Sequence, residues 1–373
     1  MSTPVLFSTF KTASGHLFGH AVLNNPAALN ALTLPMIDLL DPQFKAWAED
    51  ESIAGVVLSA AGDKAFCAGG DVVSLHHASE RVGAGKVPPE AEAFFEREYR
   101  LDYRIHTYPK PILCWAHGIV MGGGVGLMVG ASHRVVSPNA RIAMPEIHIG
   151  LFPDVGGTWF LQRMPKRTGL FMALTGAMVN ANDALTGNLA DTVIPHEKFP
   201  EVLAAIENTN WVGKHESDSE TLNALLTGFS VESPPALLGQ HANEIEAVVQ
   251  HDSLAEIDTA LLKLLNHSDP WLAKAAHAYA HGSPTSAALS FELMNRNTNA
   301  DLADVLRLEY QASVGCCAHN DFPEGVRALL VDKDKAPKWN PANLAEVSTD
   351  LITDIVKPRF TGPHPLQDLG GNN

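Results

Sequence analysis

The stretch IVMGGGVGLMVGASHRVVSPNARIAMPEIHIGLFPDVGGTW, residues 119 to 159, decides how this chain is read. It places carboxylates beside glycine-rich backbone. Three consecutive glycines, Gly122 to Gly124, let a ligand approach the main chain closely, and the run after them reads as a helix whose first N–H groups lack intrahelical partners. Such groups can receive an anion or a carbonyl oxygen that is becoming one. Two acids follow, Glu146 and Asp154, each inside an otherwise apolar segment where an unpaired carboxylate is costly to bury. Glycine turn and acids together are the parts of an acyl-transfer site.

Upstream of that stretch, strand-like and helix-like patterns alternate. HLFGHAVLNN, residues 16 to 25, reads as a strand, and LTLPMIDLLDPQFKAWAED, residues 32 to 50, as a helix capped by Thr33 with Ile37, Leu40, Phe44 and Trp47 at helical spacing. GVVLSAAG, residues 55 to 62, is a short buried strand. AFCAGGD, residues 65 to 71, closes it with a glycine turn leading into VVSLHH, and PILCWAHGIVMGGG, from residue 111, repeats the logic. Two strand-to-turn-to-helix units thus each end in backbone N–H groups at glycine, and stacked units can turn both toward one pocket.

After about residue 200 the pattern becomes helical, as in LAEIDTALLKLLNH and SAALSFELMNRN. A chain of 373 residues exceeds the roughly 250 to 300 at which single cores split. The expected division is an α/β core over residues 1–200 carrying the site, a helical region over 201–345, and a flexible tail over 346–373, whose end TGPHPLQDLGGNN has little apolar content.

Composition narrows the function. Hydrophobic residues at 46% and charged residues at 18% supply an ordinary globular core, and a net charge of −16 argues against general nucleic-acid binding. Cys67, Cys114, Cys316 and Cys317 form no CxxC pair, and MSTPVLFSTF lacks the basic start and apolar run of a signal peptide, which together point to the reducing cytoplasm. Residues 111 to 131 carry no Asp, Glu, Lys or Arg, yet their glycines, Pro111 and His117 make strand, turn and buried helix the better reading than a membrane span. There is no GxSxG, HExxH or GxxxxGK[ST] motif, and Val129 stands where GxGxxG needs its third glycine after Gly124 and Gly126. No metal is expected: His76 and His77 are adjacent, and neighbours in sequence point apart on a helix.

AALNALTLPMIDLL at 27–40, AFCAGGD at 65–71, GIVMGGGVGL at 118–127 and MPEIHIGLFPDVGG at 144–157 resemble the enoyl-CoA hydratase/isomerase (crotonase) superfamily. Within it, MPE followed by GLFPDVGG, FFEREY at 94–99 and the segment SPTS with HNDFPEGVRALLVDKDKAPKWNP resemble the hydrolases of 3-hydroxyisobutyryl-CoA. The similarity runs from about residue 5 to about residue 345. It implies a crotonase-like spiral of repeated ββα units with a helical C-terminal region.

The resemblance also implies roles. Gly70 and Gly123 match the two positions whose N–H groups form the family's oxyanion hole, and loss of one such donor typically costs ~2.7 to 4 kcal/mol. Glu146 matches the catalytic glutamate, acting as nucleophile or as base on water, and Asp154 the acid that orients water and the substrate hydroxyl. Glu98 matches a substrate-contacting glutamate, with a solvated helix charge beside Glu96 and Arg97 as the competing reading. For the CoA part, Lys64 is the candidate cation and the Ala68 carbonyl the adenine acceptor; Asn24, Asn25 and Pro26 stand where many relatives read Asn-Arg-Pro. CoA belongs to the substrate, so no separate cofactor is implied.

Hydratases carry a glutamate three residues beyond the oxyanion glycine, where this chain has Gly126. Hydration therefore loses one of its two acids, and cleavage of a short β-hydroxyacyl thioester, as in valine degradation, becomes the better reading. A hydratase or isomerase is the alternative and a non-catalytic acyl-CoA binder the third. Relatives assemble as trimers and their dimers; the helical C-terminal half can mediate such a homo-oligomer or fold back on its own core.

Overall fold

The computed structural model describes residues 3–371, so Met1, Ser2, Asn372 and Asn373 lie outside it. Its strands in chain order are β1 (Val5–Lys11), β2 (Leu17–Leu23), β3 (Ile53–Ala60), β4 (Ala65–Cys67), β5 (Ile112–Ala116), β6 (Ile119–Met121), β7 (His133–Val136), β8 (Arg141–Ala143) and β9 (Thr192–Val193). One sheet runs β1-β2-β3-β5-β7-β9 and a second, of short strands, β4-β6-β8. β1 and β2 form an antiparallel hairpin, while β2, β3, β5, β7 and β9 pair in parallel. Each strand of the second sheet follows a strand of the first, so the chain winds as repeated two-strand turns.

Local sequence explains these elements. Parallel strands covered on both faces read as unbroken apolar runs, and all of β5 and all but the last residue of β3 are buried. The helix Leu34–Glu49 starts where Thr33 Oγ1 accepts the Met36 N–H, has a proline in its first turn, and buries Ile37, Leu40, Phe44 and Trp47 as the spacing requires. The uncharged segment 111–131 divides into β5, β6 and the helix Gly123–Gly130, whose eight residues are all buried. Among the described residues, no helix is long and apolar enough to cross a membrane.

Internal packing resolves the chain into two compact units. One comprises the described residues up to Gly70, Leu101–Ile142 and Val179–Gly239; the other comprises Asp71–Arg100, Ala143–Met178 and the described residues from Gln240 onward. The boundary expected near residue 200 falls inside the first unit. The reason is packing: the helices Phe199–Glu207 and His215–Thr227 bury Val202, Ile206, Leu222 and Leu226, with Trp211 from the link between them, in one core with Phe18, Leu113 and Trp115 of the sheet.

The second unit is built on helices. Pro270–His281, Pro284–Arg296 and Leu302–Ala318 each begin at a side chain that accepts first-turn N–H bonds, Asp269, Ser283 and Asp301 respectively. The tail expected to be flexible is instead docked within this unit. The helix Thr349–Val356 buries Ile352, Ile355 and Val356, and Leu366 is fully buried. Arg307 donates to the Leu366 and Leu369 carbonyls, and Arg100 pairs with Asp368 at 2.5 Å. A few apolar anchors and two arginines suffice where average composition suggested fraying.

Candidate active site

Both glycine turns lie in the first unit. β4 pairs with β6 in parallel, Ala65 opposite Ile119 and Cys67 opposite Val120, so the turns that follow leave the same end of the pair. They approach closely: a Cβ on Gly124 would stand 2.4 Å from the Cys67 carbonyl oxygen, a space only glycine tolerates. Gly122 holds φ 49 and ψ −123. Val125 and Gly126 N–H bond back to the Gly122 carbonyl, which leaves Gly123 N–H leading the helix. On the other turn, Gly70 bridges to Leu32, whose N–H donates to the Gly69 carbonyl at 2.8 Å. Gly70 and Gly123 therefore sit on adjoining turns.

Lys64 is exposed and lines a cleft of about 340 Å³ in this unit with Pro26, Leu29, Asn30 and Asp63. Ala68 is tied to the cleft wall, its N–H donating to the Leu29 carbonyl at 3.1 Å. Asn30, which sequence reasoning passed over, organises the cleft: its Nδ2 donates to the Ala61 and Ala65 carbonyls, and its Oδ1 accepts the Asn25 N–H, each at 2.9 Å. Its signal was an asparagine in the middle of an apolar run.

The acids lie in the second unit. Glu146 opens a 3₁₀ turn, Glu146–Ile149, that ends at Gly150 with φ 70. A Cβ on Gly150 would come within 2.2 Å of the Asp321 backbone, so the turn is pressed against the start of the next helical layer. Glu146 is 4% exposed, and among the described residues its Oε2 has no hydrogen-bond partner. Burial first, and then the charge of Asp154, hold its carboxyl well above the ordinary range; its own main-chain N–H opposes the shift.

Asp154 is 5% exposed. Tyr99 Oη donates to its Oδ2 at 2.7 Å and lies 2.7 Å from Ser313 Oγ. Burial pushes Asp154 up to about 6, with the Tyr99 bond working in the opposite direction. Its side chain is thus bonded to the buried Tyr99 phenol rather than exposed at the turn after Pro153. The turn itself is strained: Val155 stands at φ 54 and Gly156 at φ 81. A β-branched residue in the left-handed region costs on the order of 1 to 3 kcal/mol and persists where surroundings over-determine it.

Tyr99, Ser313 and the fully buried Glu309 were not identified from sequence. A signal existed for Glu309, because it falls on the apolar stripe of its helix between Leu306 and Ser313. Glu98 is 2% exposed, so the reading as a solvated helix charge is overturned; it faces the interior while Arg97 is exposed. The expectation that His76 and His77 point apart also needs correction. His76 is buried and His77 exposed, yet His76 Nε2 and His77 Nδ1 both lie 3.4 Å from Glu80 Oε2, because one turn of helix brings Glu80 beneath them.

Comparison with known proteins agrees with this architecture. The enoyl-CoA hydratase/isomerase family matches residues 18–356. The mitochondrial 3-hydroxyisobutyryl-CoA hydrolase of Gallus gallus is 37% identical over 345 residues, 91% of this chain and 86% of that protein. The Homo sapiens protein of the same name is 36% identical over 344 residues, again 91% and 86%. Among solved structures, a carnitinyl-CoA dehydratase from Mycobacterium thermoresistibile is 36% identical, covers 96% of this chain and 97% of its own, and superposes with a TM-score of 0.84. The relatives named mitochondrial overturn the cytoplasmic expectation. Buried free thiols fit any reducing compartment and so do not discriminate between the two.

Proposed function

This chain belongs to the enoyl-CoA hydratase/isomerase family, and on that premise we propose that it is an acyl-CoA thioester hydrolase that cleaves 3-hydroxyisobutyryl-CoA to 3-hydroxyisobutyrate and CoA. The observation that carries the reading is the buried pair of Glu146 and Asp154 in a chain whose Gly126 cannot supply a second catalytic glutamate. Burial suits Glu146 to attack: a desolvated carboxylate with a free oxygen is a stronger base and nucleophile than a hydrated one.

On this reading the thioester carbonyl oxygen takes hydrogen bonds from Gly70 and Gly123 N–H, where charge develops as the carbonyl carbon is attacked. Glu146 either bonds to that carbon itself or removes a proton from the water that does. The C–S bond breaks, the CoA thiolate leaves and takes up a proton, and water supplies the second carboxyl oxygen of the product. Asp154, oriented by Tyr99, directs the water and the substrate hydroxyl, with Glu98 as a further contact. Lys64 and the Ala68 carbonyl hold the CoA part. The reaction needs no cofactor beyond the CoA of its substrate. Assembly with like chains, implied by the family, is tested by sedimentation.

A second reading, hydration of an enoyl thioester, has support in the likeness to the carnitinyl-CoA dehydratase structure. Parallel assays separate the two. Thiol release from 3-hydroxyisobutyryl-CoA with an unchanged crotonyl-CoA absorbance establishes the hydrolase; loss of enoyl absorbance without thiol establishes the hydratase. Glu146→Gln should lower thiol release on the order of 10³-fold or more, as loss of a nucleophile or base does. Unchanged turnover in that variant would refute the role of Glu146.

A further inference from the structure

Glu309 holds the turn that carries Asp154. Its Oε2 accepts the Gly156 N–H at 2.7 Å, and its Oε1 accepts the Thr158 N–H at 3.0 Å and the Thr158 hydroxyl at 2.5 Å. The Thr158 oxygen in turn accepts from Asn297 Nδ2 at 2.8 Å. Three donors converge on one carboxyl, bonds that fix its orientation. Immediately before these donors stands Val155, whose left-handed backbone is sustained only by firm anchoring on either side. Glu309 is the anchor on the C-terminal side, and the Tyr99 bond to Asp154 is the anchor on the other.

We propose that Glu309 is a positioning residue for the reaction, clamping the turn through Gly156 and Thr158 so that the Asp154 carboxyl is presented in one direction. This rests on the role given to Asp154 above. The groups facing Asp154 are Tyr99, Glu146, Glu309 and the thiols of Cys316 and Cys317. Burial, with a smaller contribution from Asp154, pushes Glu309 up to about 8 against its three bonds.

The test is Glu309→Gln, which keeps the shape but sets an amide N–H₂ against at least one donor. With folding checked by circular dichroism, kcat should fall on the order of 10²-fold with KM nearly unchanged, the scale expected for a misplaced reacting group. That split, a fall in kcat without a rise in KM, is a response that a merely structural loss does not produce. Thr158→Val, which removes the hydroxyl donor and keeps both N–H groups, should lower kcat by a smaller factor and decides the matter if Glu309→Gln does not fold: wild-type kcat in Thr158→Val then overturns the proposal. Asp154→Asn is measured alongside. Impaired Asp154→Asn with wild-type kcat in Glu309→Gln overturns the positioning role alone, as does a kcat loss accompanied by an equally large rise in KM; wild-type turnover in Asp154→Asn overturns this inference and the role of Asp154 together.

Discussion

The Tyr99 hydroxyl lies 2.7 Å from Asp154 Oδ2 and 2.7 Å from Ser313 Oγ, joining a helix, a strained turn and a second helix at one phenolic oxygen. The phenol is fully buried, and burial together with the charges of Asp154 and Glu309 holds it well above its ordinary range, so it stays a donor at any working pH. Tyr99→Phe removes a bond that favours the ionised Asp154 and leaves Ser313 without this partner. We expect kcat to fall roughly 10-fold, about what loss of one charge-assisted hydrogen bond of 1.5 kcal/mol or so gives, and the acid limb to rise. A pH–rate series on the variant checks both; a limb that falls contradicts the geometry.

The acids set the pH dependence of the wild-type chain. The working forms of Glu146 and Asp154 are deprotonated, and burial places Asp154 at about 6 and Glu146 well above its usual value. Activity should therefore be highest in alkaline buffer and should already be falling by about pH 6, whereas ordinary carboxylates would sustain it to roughly pH 4. Steady-state kcat/KM measured from pH 5 to 9 tests this, and a profile flat across that range rules it out.

The same shift has the opposite sense for stability. Folded Asp154 holds its proton more tightly than the unfolded chain does, so its contribution is fully present below the unfolded value of about 4 and is lost as pH rises through about 6. Asp154→Asn removes that loss. Its Tm relative to wild type should be higher at pH 8 than at pH 4, a comparison that differential scanning calorimetry reads directly.

Gly124→Ala drives a Cβ into the Cys67 carbonyl, a backbone group that cannot swing aside. The two glycine turns must separate, which should cost both stability and oxyanion binding. We expect a lower Tm and a fall in kcat on the order of 10² to 10³, as for loss of one oxyanion donor. Wild-type kcat in a folded Gly124→Ala protein would detach these turns from the chemistry.

Lys64→Ala removes the exposed cation of the cleft beside Asp63. Apparent KM should rise several-fold and more so at low salt, because an exposed charge acts through a screened field, while kcat stays near wild type. Equal KM values at low and high ionic strength would exclude Lys64 from CoA binding.

Much of this was legible in the chain. Thr33 announced its helix, apolar runs announced β3 and β5, and glycines after short strands announced the two turns. Each is a local matter of caps, periods and main-chain freedom. The tail was misjudged because Leu366, Arg100 and Arg307 act only through contacts far along the chain, and average composition is blind to a few well-placed anchors. Glu309 was overlooked for a related reason: a carboxylate within a helical pattern looks solvated until its helix is seen to turn that face inward.

The sequence by itself determined the local forms and the chemical inventory: which segments are strands or helices, where glycine frees the backbone, and that Glu146 and Asp154 are acids in apolar surroundings. Tertiary structure alone decided how those acids are used. Tyr99 and Asp154 are 55 positions apart, Tyr99 and Ser313 are 214, and Glu309 and Thr158 are 151. Whether a buried carboxylate is held, strained or left with an open oxygen depends on which distant donors packing brings within about 3 Å of it, and hydrogen bonds and desolvation act only at that range.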